Sequence, residues 1–316
     1  MEWYFAPLEG ITGYCYRQAH HEFFPGMDRY YTPFIAPNQN GRLTNREFMD
    51  VTPEHNQGIT LIPQILTNRS QLFIETAKKL EQMGYQEINL NLGCPSGTVA
   101  SKGRGAGFLA KKEELQRFLE DIFAQAVTEI SIKTRIGRDS SKEWPALLCL
   151  FNEYPVRELI VHPRIQKDFY RNTPDLEAFA LAMNESRCPV CYNGDINTKK
   201  DYVNLITRFP QLQRIMCGRG ILRNPNLRGT VEREDGIDQT VLRRFHDQVY
   251  AGYRETMSGE RNVLFKMKEF WTYLITIFPE KEKYGKRIKK TEHLAEYELL
   301  INSLFAETVG FCLDVC

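Results

Sequence analysis

The chain has 316 residues, 42% hydrophobic and 26% charged, which suits one large folded α/β domain or such a domain with a small appendage. With 41 Lys and Arg against 40 Asp and Glu the net charge is +1, so a polyanion partner would have to be held by locally clustered cations. No long uncharged apolar span and no signal peptide are seen, and eight scattered cysteines lack a small-scaffold framework, so a cytoplasmic chain with no membrane partner is expected.

Residues 3–6 read as a short apolar strand ending in Pro7-Leu8-Glu9-Gly10, and 14–24 carry a helical pattern. A second strand is predicted at 30–35, then a polar loop through Asn45, and a third strand at 60–66. Ser70 is expected to cap a helix running to Met83, with Gly84 as its stop. In the fourth strand, 87–92, Ile88, Leu90 and Leu92 alternate with polar residues. It breaks at Gly93-Cys94-Pro95, because Pro95 has no N–H to donate and holds Cys94 to extended or turn conformations. A thiol is thereby presented at a strand's C-terminal lip. The run from Ser96 to Gly107 is too Gly-rich for an ordinary helix and reads as a mobile, lid-like loop carrying Lys102 and Arg104.

Helix at 112–127, strand at 130–135, helix at 144–154, strand at 158–164, helix at 176–184, strand at 190–195, helix at 201–209 and an eighth strand at 214–220 follow. Eight strands alternating with helices over roughly 220 residues predict a (β/α)8 TIM barrel. A doubly wound sheet is the alternative, but no GxGxxG follows the first strand. From Thr240 to Val309 the pattern is helical only, so a barrel domain at 1–235 and a helical domain at 236–316 are expected. Cys188-Pro189-Val190-Cys191 is the only CxxC and reads as a buried strand, with no metal site. Cys15, Cys149, Cys217, Cys312 and Cys316 read as core or tail residues.

Chemistry in such barrels sits at the C-terminal strand ends. These carry Pro7-Leu8-Glu9, Gln64, Asn91 with Cys94, Lys133 with Arg135, His162 with Arg164, Asn193-Gly194-Asp195 and Gly218-Arg219. The set is rich in amides and cations and lacks a carboxylate cluster for a divalent metal. Gly194 and Gly218 allow backbone N–H groups to approach a phosphate. Gln64, Asn91 and Lys133 suit the edge of a flat heterocycle, and a lysine stabilises the anionic reduced ring of a flavin, so FMN fits best. Plainer readings exist: Lys133 as a rim ion pair, His162 as a structural histidine, Asn193-Gly194 as a turn and Cys94 as a small buried hydrophobe. Recurrence of polar residues at the same end of successive strands favours a site.

On these elements the chain resembles the dihydrouridine synthase family, flavoenzymes that reduce uridine in RNA. The resemblance runs from residue 4 to about 225 and is carried by Ala6–Thr12, Asn89–Pro95, the glycine run at 102–109, Lys133–Gly137, Val161–Arg164, Asn193–Ile196 and Cys217–Gly220. It implies FMN held by Pro7, Leu8, Glu9, Gln64, Lys133, Asn193, Gly194, Asp195, Gly218 and Arg219, helped by Asn91 and His162. It implies NADPH as electron donor, hydride transfer to C6 of uracil and Cys94 as the general acid at C5. Pro163 stands where the family usually has glycine, and Leu8 where methionine is common.

The uridine must be swung out of its stack, so phosphate contacts are expected from Lys102, Arg104, Arg135 and Arg164, and from Lys286, Arg287, Lys289 and Lys290 around Tyr284. Taken alone, that run is usually a solvated helix face. Phe270, Trp271 and Tyr273 read as core. Transfer RNA is the expected substrate, ribosomal RNA the alternative, and no obligate protein partner is expected. The rivals are an FMN barrel acting on a small molecule (a dihydroorotate-type dehydrogenase or an ene-reductase) and a non-enzymatic RNA-binding barrel. The first leaves the basic helical region unexplained; the second predicts a colourless protein.

Overall fold

The computed structural model describes residues 1–39, 41–279 and 281–307. They form two compact units: the first comprises Met1–Pro7, Asp28–Gly194 and Gln211–Met216, the second Leu8–Met27, Asp195–Pro210 and the chain from Cys217 onward.

Nine strands make one sheet: β1 (Glu2–Phe5), β2 (Arg29–Tyr31), β3 (Leu61–Ile62), β4 (Gln64–Ile65), β5 (Glu87–Leu92), β6 (Glu129–Arg135), β7 (Leu159–His162), β8 (Val190–Tyr192) and β9 (Arg214–Cys217). Their order is β3-β2-β1-β9-β8-β7-β6-β5-β4. The pairs flanking β2, β5, β6, β7 and β8 are all parallel. β3 and β4 are one stretch of chain interrupted at Pro63, which cannot donate to a ladder. Since β3 pairs with β2 and β4 with β5, that stretch joins the two ends of the row and closes the predicted (β/α)8 barrel.

Tyr4, Ala6, Tyr31, Ile62, Ile160, Cys191 and Met216 form a packed cluster within the sheet unit. Near the N-terminal strand ends lies an ionic group: Arg29 to Glu87 at 2.7 Å, Arg214 to Glu158 at 3.2 Å, and Tyr4 Oη donating to Glu158 at 3.1 Å. Burial pushes the Glu158 carboxyl up to about 7 against the pull of Arg29 and Arg214. That end is built for stability; the amides and the thiol lie at the other.

Several local expectations are corrected. The segment after the second strand contains the helix Asn45–Val51, started by a capping box in which Thr44 and Glu47 exchange hydrogen bonds. Ser70 is the first helical residue of Ser70–Gln82 and not its cap; its hydroxyl donates to Asp121. The glycine run is no mobile loop: it forms the short helix Gly97–Ala100 and the 3-10 helix Gly105–Ala110, with Gly103 and Gly105–Leu109 buried. Cys149 is exposed and Cys15 half-buried, so neither is a core residue. Cys312 and Cys316 lie outside the described residues.

The second unit is helical. Gln239–Thr256, Glu260–Leu274, Lys281–Lys290 and Leu294–Glu307 pack with one another, and Tyr14–Phe23 packs on Gln239–Thr256. Its core is aromatic: Tyr16 meets Phe245 edge-on at 5.4 Å, and Trp271 Nε1 and His246 Nε2 both reach Tyr297 Oη, at 2.8 and 2.6 Å. Phe270 and Trp271 are buried as expected, while Tyr273 is only half-buried. Among the described residues no helix is long and apolar enough to cross a membrane.

Candidate active site

Asn91, near the end of β5, turns the chain at the cysteine. Its Oδ1 accepts from Gly93 N at 3.1 Å and Cys94 N at 2.9 Å, taking up the donors that Pro95 leaves at the strand break. Its Nδ2 donates to Gln64 Oε1 at 2.6 Å; Gln64 Nε2 donates to Asn89 Oδ1 at 2.8 Å, and Asn89 Nδ2 to Ser131 Oγ at 2.9 Å. This buried amide chain orients every group in it, because each amide has one donating and one accepting end.

Cys94 is half-buried. The glycines behind it allow close approach: a Cβ on Gly105 would lie 2.8 Å from the Cys94 carbonyl oxygen, and Gly105 has φ +54°, a conformation glycine tolerates. Ala106 N donates to the same carbonyl at 3.1 Å. Backbone bonds therefore pin the cysteine from both sides. Lys102 is exposed and Arg104 half-buried.

Lys133 on β6 stands in register with Asn91. It is half-buried, and among the described residues its ammonium has no hydrogen-bond or ion-pair partner. The rim ion pair is thereby ruled out. Burial, with the neighbouring Arg135 cation, pulls its pKa down to about 8, while Cys191 and Cys94 act the other way.

His162 Nε2 lies 3.0 Å from an Arg164 guanidinium nitrogen. A guanidinium has no lone pair to give, so Nε2 accepts and the ring proton sits on Nδ1. Arg135 and Arg164 do not present cations to solvent. Arg135 is fully buried and donates to the carbonyls of Gly93 (3.1 Å), Ile165 (2.8 Å) and Phe169 (2.6 Å). Arg164 is buried too, and its Nε donates to the Asn172 carbonyl. Both are committed to holding loops, which corrects their expected phosphate-binding role. Asn193 Nδ2 donates to the Met216 carbonyl at 2.8 Å. Gly194 must lack a side chain, since a Cβ there would fall 2.1 Å from the Tyr192 hydroxyl. Among the residues of this first unit Gln64, Asn91 and Cys94 thus share one bonded network, with Lys133 beside it.

In the second unit, Leu8 and Glu9 belong to a turn in which Leu8 N donates to Thr12 Oγ1 at 2.8 Å and Gly10 has φ +81°. The helical region holds that turn in a way no local pattern revealed: Lys266 Nζ donates to Gly10 O at 2.5 Å and Tyr253 Oη to Ile11 O at 3.1 Å. Asp195 and Arg219 pair at 2.5 Å, and Gly218 precedes the short helix Arg219–Arg223. Lys281–Lys290 buries Tyr284 and Ile288 and exposes Lys286, Arg287, Lys289 and Lys290 on its outer face. Lys268 and Lys281 join Lys286 and Lys289 around a cleft in this unit. Among the described residues no group of His, Cys, Asp and Glu side chains is arranged to hold a metal.

The sequence model of the family described as "Dihydrouridine synthase (Dus)" matches residues 4–308. A "Probable tRNA-dihydrouridine synthase" of Staphylococcus aureus strain Mu50 is 24% identical over 317 residues, covering 96% of this chain and 92% of the relative. A "Probable tRNA-dihydrouridine synthase 1" of Synechocystis sp. is 24% identical over 283 residues, 84% of this chain and 78% of the relative. Among solved structures, histamine dehydrogenase from Rhizobium sp. 4-9 is similar with a TM-score of 0.56 at 13% identity; the match takes in 74% of this chain and 46% of that one, so this chain spans under half its length. Morphinone reductase in complex with tetrahydroNAD is similar with a TM-score of 0.54 at 8% identity, over 77% of this chain and 90% of that one. At such identities what is shared is the barrel.

Proposed function

Because the chain belongs to the dihydrouridine synthase family, we propose that it is an enzyme reducing the C5–C6 double bond of a uridine in transfer RNA. The observation that carries this reading is the pairing of a half-buried thiol, Cys94, with a half-buried ammonium, Lys133, that has no counter-ion among the described residues. The donor set fits FMN: Lys133 suits a ring edge that gathers negative charge, and the bonds from Asn91 to Gln64 and from Gln64 to Asn89 fix the orientation of both amides. When bound, FMN supplies the hydride for uracil C6, with NADPH as the source of electrons.

The protein's own part is binding, orientation and one proton. Cys94 holds the proton destined for C5, so the thiol and not the thiolate is the working form. Asn91 fixes the backbone on which that thiol stands. His162 acts as a neutral ring held by Arg164. Pro7, Leu8, Glu9, Asn193, Gly194, Asp195, Gly218 and Arg219 are proposed as further cofactor contacts. Residues 1–235 are proposed as the catalytic part and 236–316 as the RNA-binding part, acting in the cytoplasm. Lys102, Arg104, Lys286, Arg287, Lys289 and Lys290 are proposed to meet phosphates. The names of the Staphylococcus and Synechocystis relatives favour transfer over ribosomal RNA.

Cys94→Ala tests the assignment. The variant is expected to bind FMN and oxidise NADPH, yet to form dihydrouridine in transfer RNA at least a hundredfold more slowly, on the order of the loss of a general acid. Normal product formation would remove Cys94 from the reaction.

A further inference from the structure

Between β7 and the helix Leu176–Glu185 the chain runs Gln166-Lys167-Asp168-Phe169-Tyr170-Arg171. Two large rings are exposed side by side there, Phe169 at 39% and Tyr170 at 48%, with the exposed cations Lys167 and Arg171 on either flank. Phe169 has φ +52° and ψ −97°, a left-handed conformation from which a bulky residue gains nothing and which glycine would adopt at less cost. A strained ring facing solvent needs a cause.

The loop is held firmly in this state, and held to one place. Arg135 donates to Phe169 O at 2.6 Å, and its guanidinium lies 5.3 Å from the Tyr170 ring centre. The same Arg135 donates to Gly93 O at 3.1 Å, and Gln166 Nε2 donates to Pro95 O at 2.8 Å. Of the two residues flanking Cys94, Pro95 is thus bonded directly to the segment that displays the rings, and Gly93 is linked to it through Arg135.

We propose that Phe169, with Tyr170, forms a stacking platform for a base of the RNA substrate next to the uridine delivered to Cys94, with Arg171 meeting an adjacent phosphate. Swinging one nucleotide out leaves its neighbour without a stacking partner, and an aromatic face replaces that partner whatever the base. Lys167 is already paired with Asp139 at 2.8 Å, so Arg171 is the cation offered to phosphate. The proposal rests on RNA being the substrate. The adenine of NADPH presents the same flat chemistry, and the test separates the two.

Full-length flavin-loaded protein is compared with Phe169→Ala, Phe169→Gly and Phe169→Trp. The KM for transfer RNA is expected to rise roughly five- to a hundredfold in the Ala and Gly variants, and the Trp variant to keep the parent value. Phe169→Gly is expected also to raise the melting temperature, because it relieves the backbone while removing the ring. Unchanged RNA affinity in the Ala and Gly variants would overturn the platform. A rise in the KM for NADPH instead of that for RNA would overturn it in favour of a dinucleotide contact. If the parent protein forms no dihydrouridine, the reading of its function fails separately, and direct binding of RNA to parent and Phe169→Ala protein still decides the platform.

Discussion

Lys133 is a half-buried cation that feels a second cation, Arg135, beside it. With a pKa of about 8, its ammonium is lost as pH rises through that value. FMN affinity of the cofactor-free protein is therefore expected to be full below pH 7 and to fall on raising the pH through about 8, by roughly ten- to a hundredfold for one charged hydrogen bond. Lys133→Met should bind weakly and show no such pH dependence. A titration by fluorescence at several pH values checks both, and a parent affinity that is flat from pH 7 to 9.5 would show that Lys133 does not touch the ring. Arg135 teaches the opposite lesson: its carbonyl acceptors lie 42, 30 and 34 residues away, so nothing adjacent to it in the chain announced that it is a bracket for loops.

The glycine run behind β5 illustrates how composition misleads about motion. Glycine lowers helix propensity, and from that alone a loose loop follows. In the fold the glycines are there for contact: a Cβ on Gly107 would sit 2.4 Å from Ala100 O, against backbone that cannot move aside cheaply. Gly107→Ala is expected to cost about 1–3 kcal/mol, as overpacking of a filled interior does. Urea unfolding of the two proteins measures it, and an unchanged midpoint would mean that the segment is looser than described. The break at Gly93-Cys94-Pro95, by contrast, was legible, because proline's missing N–H acts within its own residues. The helix Asn45–Val51 was also legible in principle, through Thr44 and Glu47 at capping-box spacing.

With a net charge of only +1, the whole molecule has little general attraction for RNA, and binding must come from patches. The outer face of Lys281–Lys290 is such a patch, anchored by buried Tyr284 and Ile288. Reversing Lys286, Arg287, Lys289 and Lys290 together is expected to weaken transfer RNA binding and to flatten the slope of log affinity against log salt by roughly three to four, a little under one released counterion per lost contact. Filter binding between 50 and 200 mM salt covers the range in which about 10³-fold changes are usual for such interfaces. An unaltered slope would move the RNA surface elsewhere, and Lys268, beside the same cleft, would be the next cation to change.

The alternation of eight strand patterns with helices, the proline that breaks β5 after Cys94 and the helical periodicity beyond Thr240 all depend on residues a few positions apart, and they were readable from the chain. Closure of the barrel through Pro63, the isolation of Lys133 from any carboxylate among the described residues, the burial of Arg135 and Arg164, and the strained display of Phe169 were not. Barrel closure, Arg135 and Phe169 depend on partners tens of residues away, and a side chain's exposure, charge state and freedom are set by whatever the fold brings against it. Periodicity carries no information about that.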